Sequence, residues 1–437
     1  MQAQAAVGVA APARTRPLTA LALLLLLLAC AAPSRGAAAQ TGGSSDSAAL
    51  TLSLEYSADQ NADGAPLGTP TKANIAGREV YYEVPQAAVG MYVFFHGCAH
   101  NGFDHWYSQP GCEECRGLPA EVAHAKQALA AGFVFVAINS LDRKDDPQAD
   151  FYRCYSYSED KDGAVAAVRE LRSQLDLEGK PLYLGGVSSG ASFALKLPNE
   201  FTPGEVAGIT SEVLAVDPDA DDFEWSVWPP VAFISMPKDA PTADRIRRNK
   251  AALNEAGVRA QIIEVGPRPV YWPTFFSDQA SDISPELSEQ IVEALVEIGI
   301  LDAEGNLVDD PRHGFIGKDW RAELIQRVPA LQGDNTTTSV VADSSVVSEL
   351  LNLAWADHEI VGEFWWAIHA WFQGGNTGNL AALAQEYVIR QPGLLKADRL
   401  QPGQLPATAG DPPVRPWLAW DDVAPGPAPT PAPAPAA

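Results

Sequence analysis

Cations are scarce in this chain: 30 Lys and Arg stand against 55 Asp and Glu, and the formal net charge is −25. Residues 1–39 hold three Arg and no acid, so their removal would take the charge to −28. So acidic a surface argues against nucleic acid, anionic membrane surfaces and polyanionic substrates as partners. Cysteine is sparse too, at five in 437 residues. Cys112 and Cys115 make one C-x-x-C pair, but no second C-x-x-C and no H-x-x-x-H follows it. The pattern therefore does not make a zinc module. The apolar run at 20–32 is short for a membrane span. No repeat of fixed period is visible, which sets aside solenoids and propellers.

Both ends read as something other than fold. Arg14 and Arg16 precede the apolar run, and Ala37-Ala38-Ala39 offers a small-residue cleavage site before Gln40, the layout of a secretory signal peptide over 1–39. Leu27-Leu28-Ala29-Cys30 permits a second reading, a lipoprotein box that anchors the chain at a lipidated Cys30. Export leaves Cys98, Cys112, Cys115 and Cys154, an even number that reads as two disulfides with three possible pairings. Residues 401–437 are rich in Pro and Ala and finish in PAPTPAPAPAA, a polyproline-like tail that cannot bury a core. Asn335-Thr336-Thr337 is a glycosylation sequon, usable in a eukaryotic source.

Between the ends, short apolar runs alternate with helical patterns. Residues 49–56 and 78–84 alternate like edge strands, whereas 91–96 and 133–138 are continuous apolar runs, as strands buried on both faces require. Helical patterns at 118–131, 164–175 and 242–256 interleave with further strands at 182–184, 209–216, 231–236 and 258–265. This predicts an α/β core over 49–265, a mostly parallel sheet flanked by helices. The pattern changes at 266–345. There Ser284-Pro285 opens a helix stopped by Gly299, and another spans 320–328, so the block reads as a helical lid insertion. Residues 346–400 read as a return to the core, with an aromatic terminal helix within 349–372.

The chemistry centres on Gly186-Val187-Ser188-Ser189-Gly190. An apolar run enters this G-x-S-x-G and good helix formers leave it, the layout of a strand, a sharp turn and a helix with a serine nucleophile at the turn. Such a turn strains the nucleophile's backbone, so the residues two positions either side must be small. A serine nucleophile needs a base, an acid to orient it and donors for an oxyanion. Asp239 lies just past the strand two after the turn; a helix cap is its competing role, and Asp217, Asp219, Asp221 and Asp222 are the fallback acids. Only His313, His358 and His369 follow Asp239. His358 is favoured over His313, since it precedes an aromatic helix, and His369 reads as packing inside that helix. The backbone N–H groups of Ser189 and Cys98 are the expected oxyanion donors, and His96 reads as structural. His100, Asp104, His105 and Trp106 share the loop after His96, with His100 and Trp106 as expected substrate contacts. A metal held by His100 and His105 lacks a clear third ligand, so no metal or cofactor is expected.

HGCAHNGFDHW…CEECRGLPAEV, DRKDD…FYRC, GGVSSGAS, SMPKDAPTA, FFSDQASDISPELS…GILDAEGNLVDDPR and LNLAWADHE, in that order, resemble a plant and algal branch of the α/β-hydrolase fold over about 78–372. HGC followed by a later Cys is also similar to the polyhydroxybutyrate depolymerase and feruloyl esterase group, which is exported and cleaves polymer-linked esters. The resemblance implies a triad of Ser188, Asp239 and His358, and it places the four cysteines in the scaffold. Cys98 and Cys154 follow adjacent parallel strands at one edge of the sheet, so their loops can meet. The expected bridges are therefore Cys98–Cys154 and Cys112–Cys115. The expected function is an exported serine esterase acting on small or polymer-linked carboxylic esters. A hydrolase-fold binder without turnover, or a lipase or peptidase, is the alternative.

Overall fold

Side chains along β4 (Phe133–Ile138) alternate between two different cores. Phe133, Phe135 and Ala137 join an aromatic cluster, whereas Val134, Val136 and Ile138 join an aliphatic one. That is the period-two geometry of a strand covered on both sides, and it explains why the run is apolar throughout. The computed structural model describes residues 67–142, 153–219, 224–270, 273–280, 282–312, 319–333, 336, 339–375 and 378–387. The expectations for 1–39, Cys30, the strand at 49–56, Asp221, Asp222, His313, Asn335 and 401–437 lie outside the described residues.

Eight strands form one sheet: β1 (Thr71–Ile75), β2 (Arg78–Glu83), β3 (Gly90–Phe95), β4, β5 (Leu182–Val187), β6 (Val206–Glu212), β7 (Val231–Ser235) and β8 (Ala260–Glu264), in the order β1-β2-β4-β3-β5-β6-β7-β8. β2 pairs antiparallel with both β1 and β4, and every other pair is parallel. From β3 the chain passes through α1 (Pro119–Ala130) to β4 on one side, then through α2 (Tyr157–Gln174) to β5 on the other. The order thus reverses between β3 and β5, the kind of switch point beyond whose carboxyl ends open α/β sheets bind ligands.

Helix α1, with α9 (Trp365–Gln373) and α10 (Leu380–Tyr387), covers the aromatic face. Helices α2, α3 (Ser189–Lys196) and α4 (Ala240–Glu255) cover the aliphatic face. Helices α5 (Phe275–Gln279), α6 (Pro285–Ile298) and α7 (Trp320–Arg327) bury a third cluster together with one side of α8 (Val346–Trp355). Ser284 caps α6 by accepting from Leu287 N at 3.2 Å, and Gly299 ends it at φ 80°. Residues 266–345 therefore have an apolar core of their own, closed by Val347, Leu350 and Leu351 of α8. The stretch 349–372 holds two helices, α8 and α9, and the break between them carries His358. No helix among the described residues is long and apolar enough to cross a membrane.

Candidate active site

The backbone at Ser188 takes φ 52° and ψ −119°, between the end of β5 and the start of α3. A non-glycine residue holds such a conformation only where the surroundings dictate it. They do so here through close packing. A Cβ at Gly186 would lie 2.5 Å from the main chain of Gly190, and one at Gly190 would collide with the carbonyl oxygens of Phe95 and His96. Glycine at both positions lets the turn press against the end of β3. Ser188 N donates to Glu212 O at 3.0 Å, which ties the turn to β6.

The Ser188 hydroxyl lies 2.8 Å from His358 Nε2, and His358 Nδ1 lies 2.7 Å from Asp239 Oδ2. A carboxylate only accepts, so Nδ1 carries the proton and Nε2 accepts from the serine. Asp239 sits just past β7 at the N-cap of α4, where Oδ1 accepts from Thr242 N at 3.3 Å. Burial opposes ionisation of this carboxyl, but the bonds from Thr242 and His358 outweigh it and hold its pKa below the ordinary value.

The turn bearing His358 is strained and heavily tied. Ala356 ends α8 at φ 55°, and His358 itself takes φ 59°. Arg312 donates to His358 O at 2.9 Å, to Asp357 O, and to Glu359 Oε2 at 3.1 Å. Val361 N donates to the buried Glu212 Oε2 at 3.0 Å. Neither Arg312 nor Glu212 was singled out in the sequence. Glu212 had a signal, a lone acid in the strand run ITSEVLAV; Arg312 had none beyond its place next to His313.

The loop after β3 faces the serine: a methyl group on Gly97 would lie 3.7 Å from Ser188 Cβ. His96 Nδ1 donates to Gly97 O at 2.7 Å, and Nε2 accepts from Ser140 N at 3.2 Å. Burial lowers its pKa to about 4, so it is a neutral structural ring. Cys98 bridges Cys154 with Cα atoms 4.2 Å apart, and Cys112 bridges Cys115. Tyr155 N, beside Cys154, donates to Ser189 Oγ at 3.3 Å. One bridge thus joins the Gly97 loop to the segment that braces the serine turn.

The remaining candidates fall elsewhere. Trp106 has no exposed surface, packs on Phe135 and His105, and donates from its indole nitrogen to Glu83 Oε2 at 2.9 Å. It belongs to the core and not to the mouth of the site. His105 is likewise buried and neutral, its pKa lowered by burial to about 3. His100 faces Asp104 and Glu121; burial opposes its charge, but these two carboxylates hold its pKa well above the ordinary value. Asp217 and Asp219 pair with Arg248 at the surface, at 2.9 and 3.2 Å. His369 stacks on Trp365 at 4.7 Å, as a packing residue.

No family model matches the chain, and no curated protein matches it. Solved structures align with about half of it. Dienelactone hydrolase from Anabaena variabilis is 20% identical over 46% of this chain and 87% of its own, with a TM-score of 0.33. A hormone-sensitive lipase from a metagenome library is 13% identical over 53% and 85%, with a TM-score of 0.33. A serine hydrolase without lid from Xanthomonas campestris is 15% identical over 46% and 85%, with a TM-score of 0.31. The strand order, the turn after β5 and the chain order Ser, Asp, His are those of one architecture. The chain has the α/β-hydrolase fold.

Proposed function

We propose that the protein is an exported serine hydrolase that cleaves carboxylic esters through Ser188, His358 and Asp239. The observation that carries this reading is the unbroken line from Ser188 Oγ to His358 Nε2 and from His358 Nδ1 to Asp239 Oδ2, at 2.8 and 2.7 Å. Ser188 Oγ attacks the ester carbonyl as His358 Nε2 takes its proton, and Asp239 stabilises the imidazolium that forms. The backbone N–H groups of Ser189 and Cys98 are the proposed donors to the oxyanion, Ser189 at the start of α3, where the helix dipole adds to the effect. The alcohol leaves with the proton from Nε2, giving an acyl-enzyme. Water, activated by the same imidazole, then releases the acid. The block 266–345 is the proposed lid over this site. Two disulfides support an oxidising compartment, in line with export.

The test is a fluorophosphonate probe together with a panel of acyl esters. The parent should be labelled at Ser188 and turn over at least one ester, and Ser188→Ala should lose both while keeping its fold. An unlabelled parent that hydrolyses no ester would make the chain a binder.

A further inference from the structure

Next to the Gly97 loop, on the α1 side, three donor atoms from one imidazole and two carboxylates converge. His100 Nδ1 lies 3.4 Å from Asp104 Oδ2 and 3.4 Å from Glu121 Oε1, and the three atoms are all within 4.8 Å of one another. Ion pairs in direct contact close to about 2.7–2.9 Å, so both separations are long for N–H···O⁻ bonds. They match instead the edge of a tetrahedron whose centre is about 2.0–2.1 Å from each corner, an edge of roughly 3.3–3.4 Å, which is zinc geometry.

Burial is the second, independent observation. Asp104 is fully buried and Glu121 is 3% exposed, yet no hydrogen bond reaches Glu121 Oε2. Buried ionisable groups are otherwise paired, hydrogen-bonded or bound to metal. Glu349 lies close enough to Glu121 for the two to repel, whereas Arg116, 3.5 Å from Asp104 Oδ1, is the guanidinium that faces the cluster. Asp104 is also aimed: Asn101 N donates to its Oδ2 at 2.8 Å, fixing the carboxylate as outer-shell bonds do at metal centres.

We propose that His100 Nδ1, Asp104 Oδ2 and Glu121 Oε1 form a binding site for a divalent transition cation, with zinc the best match. One imidazole nitrogen and two carboxylate oxygens suit zinc or manganese, whereas magnesium and calcium take oxygen sets. A fourth position is left for water. The site is separate from Ser188, His358 and Asp239, and it does not depend on the hydrolase reading. Its effect would be mechanical: it clamps residues 100–104 to α1, and with them the loop that carries Gly97 and Cys98. The sequence pairing of His100 with His105 missed this arrangement. His105 points to Gly102 O at 3.0 Å, and the third ligand comes from α1.

The experiment uses the full chain, stripped with chelator, dialysed and titrated with Zn²⁺ alone, with bound metal counted by mass spectrometry. One zinc per chain is expected, with a higher Tm than the stripped protein and no displacement by equimolar Mg²⁺ or Ca²⁺. Glu121→Gln and Asp104→Asn, nearly isosteric and checked for folding by circular dichroism, should each weaken binding more than about tenfold. Co²⁺ loaded into the parent should show the visible absorption of a low-coordinate site, a readout that needs no variant to fold. Substoichiometric zinc, zinc binding unchanged in a folded Glu121→Gln, or Co²⁺ with only its aqueous spectrum would each overturn the proposal. The cluster would then be an imidazolium held between two carboxylates.

Discussion

Asp239 serves two partners at once: Oδ2 accepts a hydrogen bond from His358 Nδ1 at 2.7 Å, and Oδ1 caps α4 by accepting from Thr242 N at 3.3 Å. The helix cap and the orienting acid compete as readings of the sequence, but one carboxylate makes both contacts. The two roles separate by substitution. Asparagine caps about as well as aspartate, but it cannot hold the imidazole in the tautomer that proton transfer needs. Asp239→Asn should therefore lose about 10⁴-fold in kcat with little change in stability. Asp239→Ala should lose as much kcat and, in addition, about 1 kcal/mol of stability. Ester kinetics and urea midpoints decide. If asparagine destabilises as much as alanine, the capping role is wrong.

Arg312 reaches from the end of the 266–312 segment to three consecutive residues of the base turn, Asp357, His358 and Glu359. His358 has φ 59°, so the turn must be held against its own backbone preference. Removing the guanidinium should let the imidazole wander by more than the fraction of an ångström that positioned catalysis tolerates. Arg312→Ala should lower kcat by roughly 10- to 100-fold with KM nearly unchanged, by analogy with the loss of an orienting partner. Arg312→Lys should not restore it, because an ammonium lacks the planar fork that reaches several acceptors. A rise in KM with kcat intact would instead make Arg312 a substrate contact.

The parts legible in the sequence were those encoded locally. Gly186 to Gly190 announces its turn because the close approach admits only glycine there, and His358 stood out because it falls between two apolar segments. β1 was missed because its hairpin to β2 turns through Ala76 at φ 50° and Gly77 at φ 76°, and alanine is not a residue that signals such a turn. α2 starts at Tyr157, ahead of the apolar pattern at 164–175, because Asp160 is the one buried residue of its first turns. Glu121 was passed over for a physical reason. α1 is buried on all sides, with Glu121, His124, Lys126 and Gln127 inside, so the period of its apolar residues marks no exposed face. Contacts between distant segments, such as Arg312 with the base turn, leave no pattern in a single sequence.

The two disulfides should differ in what they contribute. Cys98 and Cys154 are 56 residues apart, whereas Cys112 and Cys115 are 3 apart. On the chain-entropy model the long loop contributes about 4 kcal/mol of stability and the short one about 2 kcal/mol. Cys98→Ser/Cys154→Ser should therefore lower the unfolding free energy more than Cys112→Ser/Cys115→Ser. It should also lower kcat, because the long bridge holds the loop facing Ser188. Urea unfolding and ester kinetics on the two double variants give the comparison. Equal losses of stability, with kcat spared in both, would detach the long bridge from the site.

Three buried histidines should each cost stability in mild acid, against the buried carboxyls of Glu83, Glu121 and Glu349, whose pKa burial raises and which act the other way. Burial lowers the pKa of His96 to about 4 and those of His105 and His369 to about 3. In the unfolded chain each returns to about 6.5. Between about pH 6.5 and about 4 these histidines bind protons in the unfolded state that they do not bind in the native state, so their contribution to stability rises with pH across this window. The contribution is complete above about 6.5 and is lost as the pH falls toward the folded values. Each histidine adds up to about 1.4 kcal/mol per pH unit to the slope. His369 offers the cleanest check, because its ring stacks on Trp365 and lies edge-on to Phe133, contacts that a phenyl ring can keep. His369→Phe should reduce the slope of unfolding free energy against pH by about one proton's worth, with the other titrating groups common to both proteins and cancelling in the difference. Urea unfolding of parent and variant at several pH values across the window measures that difference. Parallel curves would mean that His369 already takes up its proton in the folded protein.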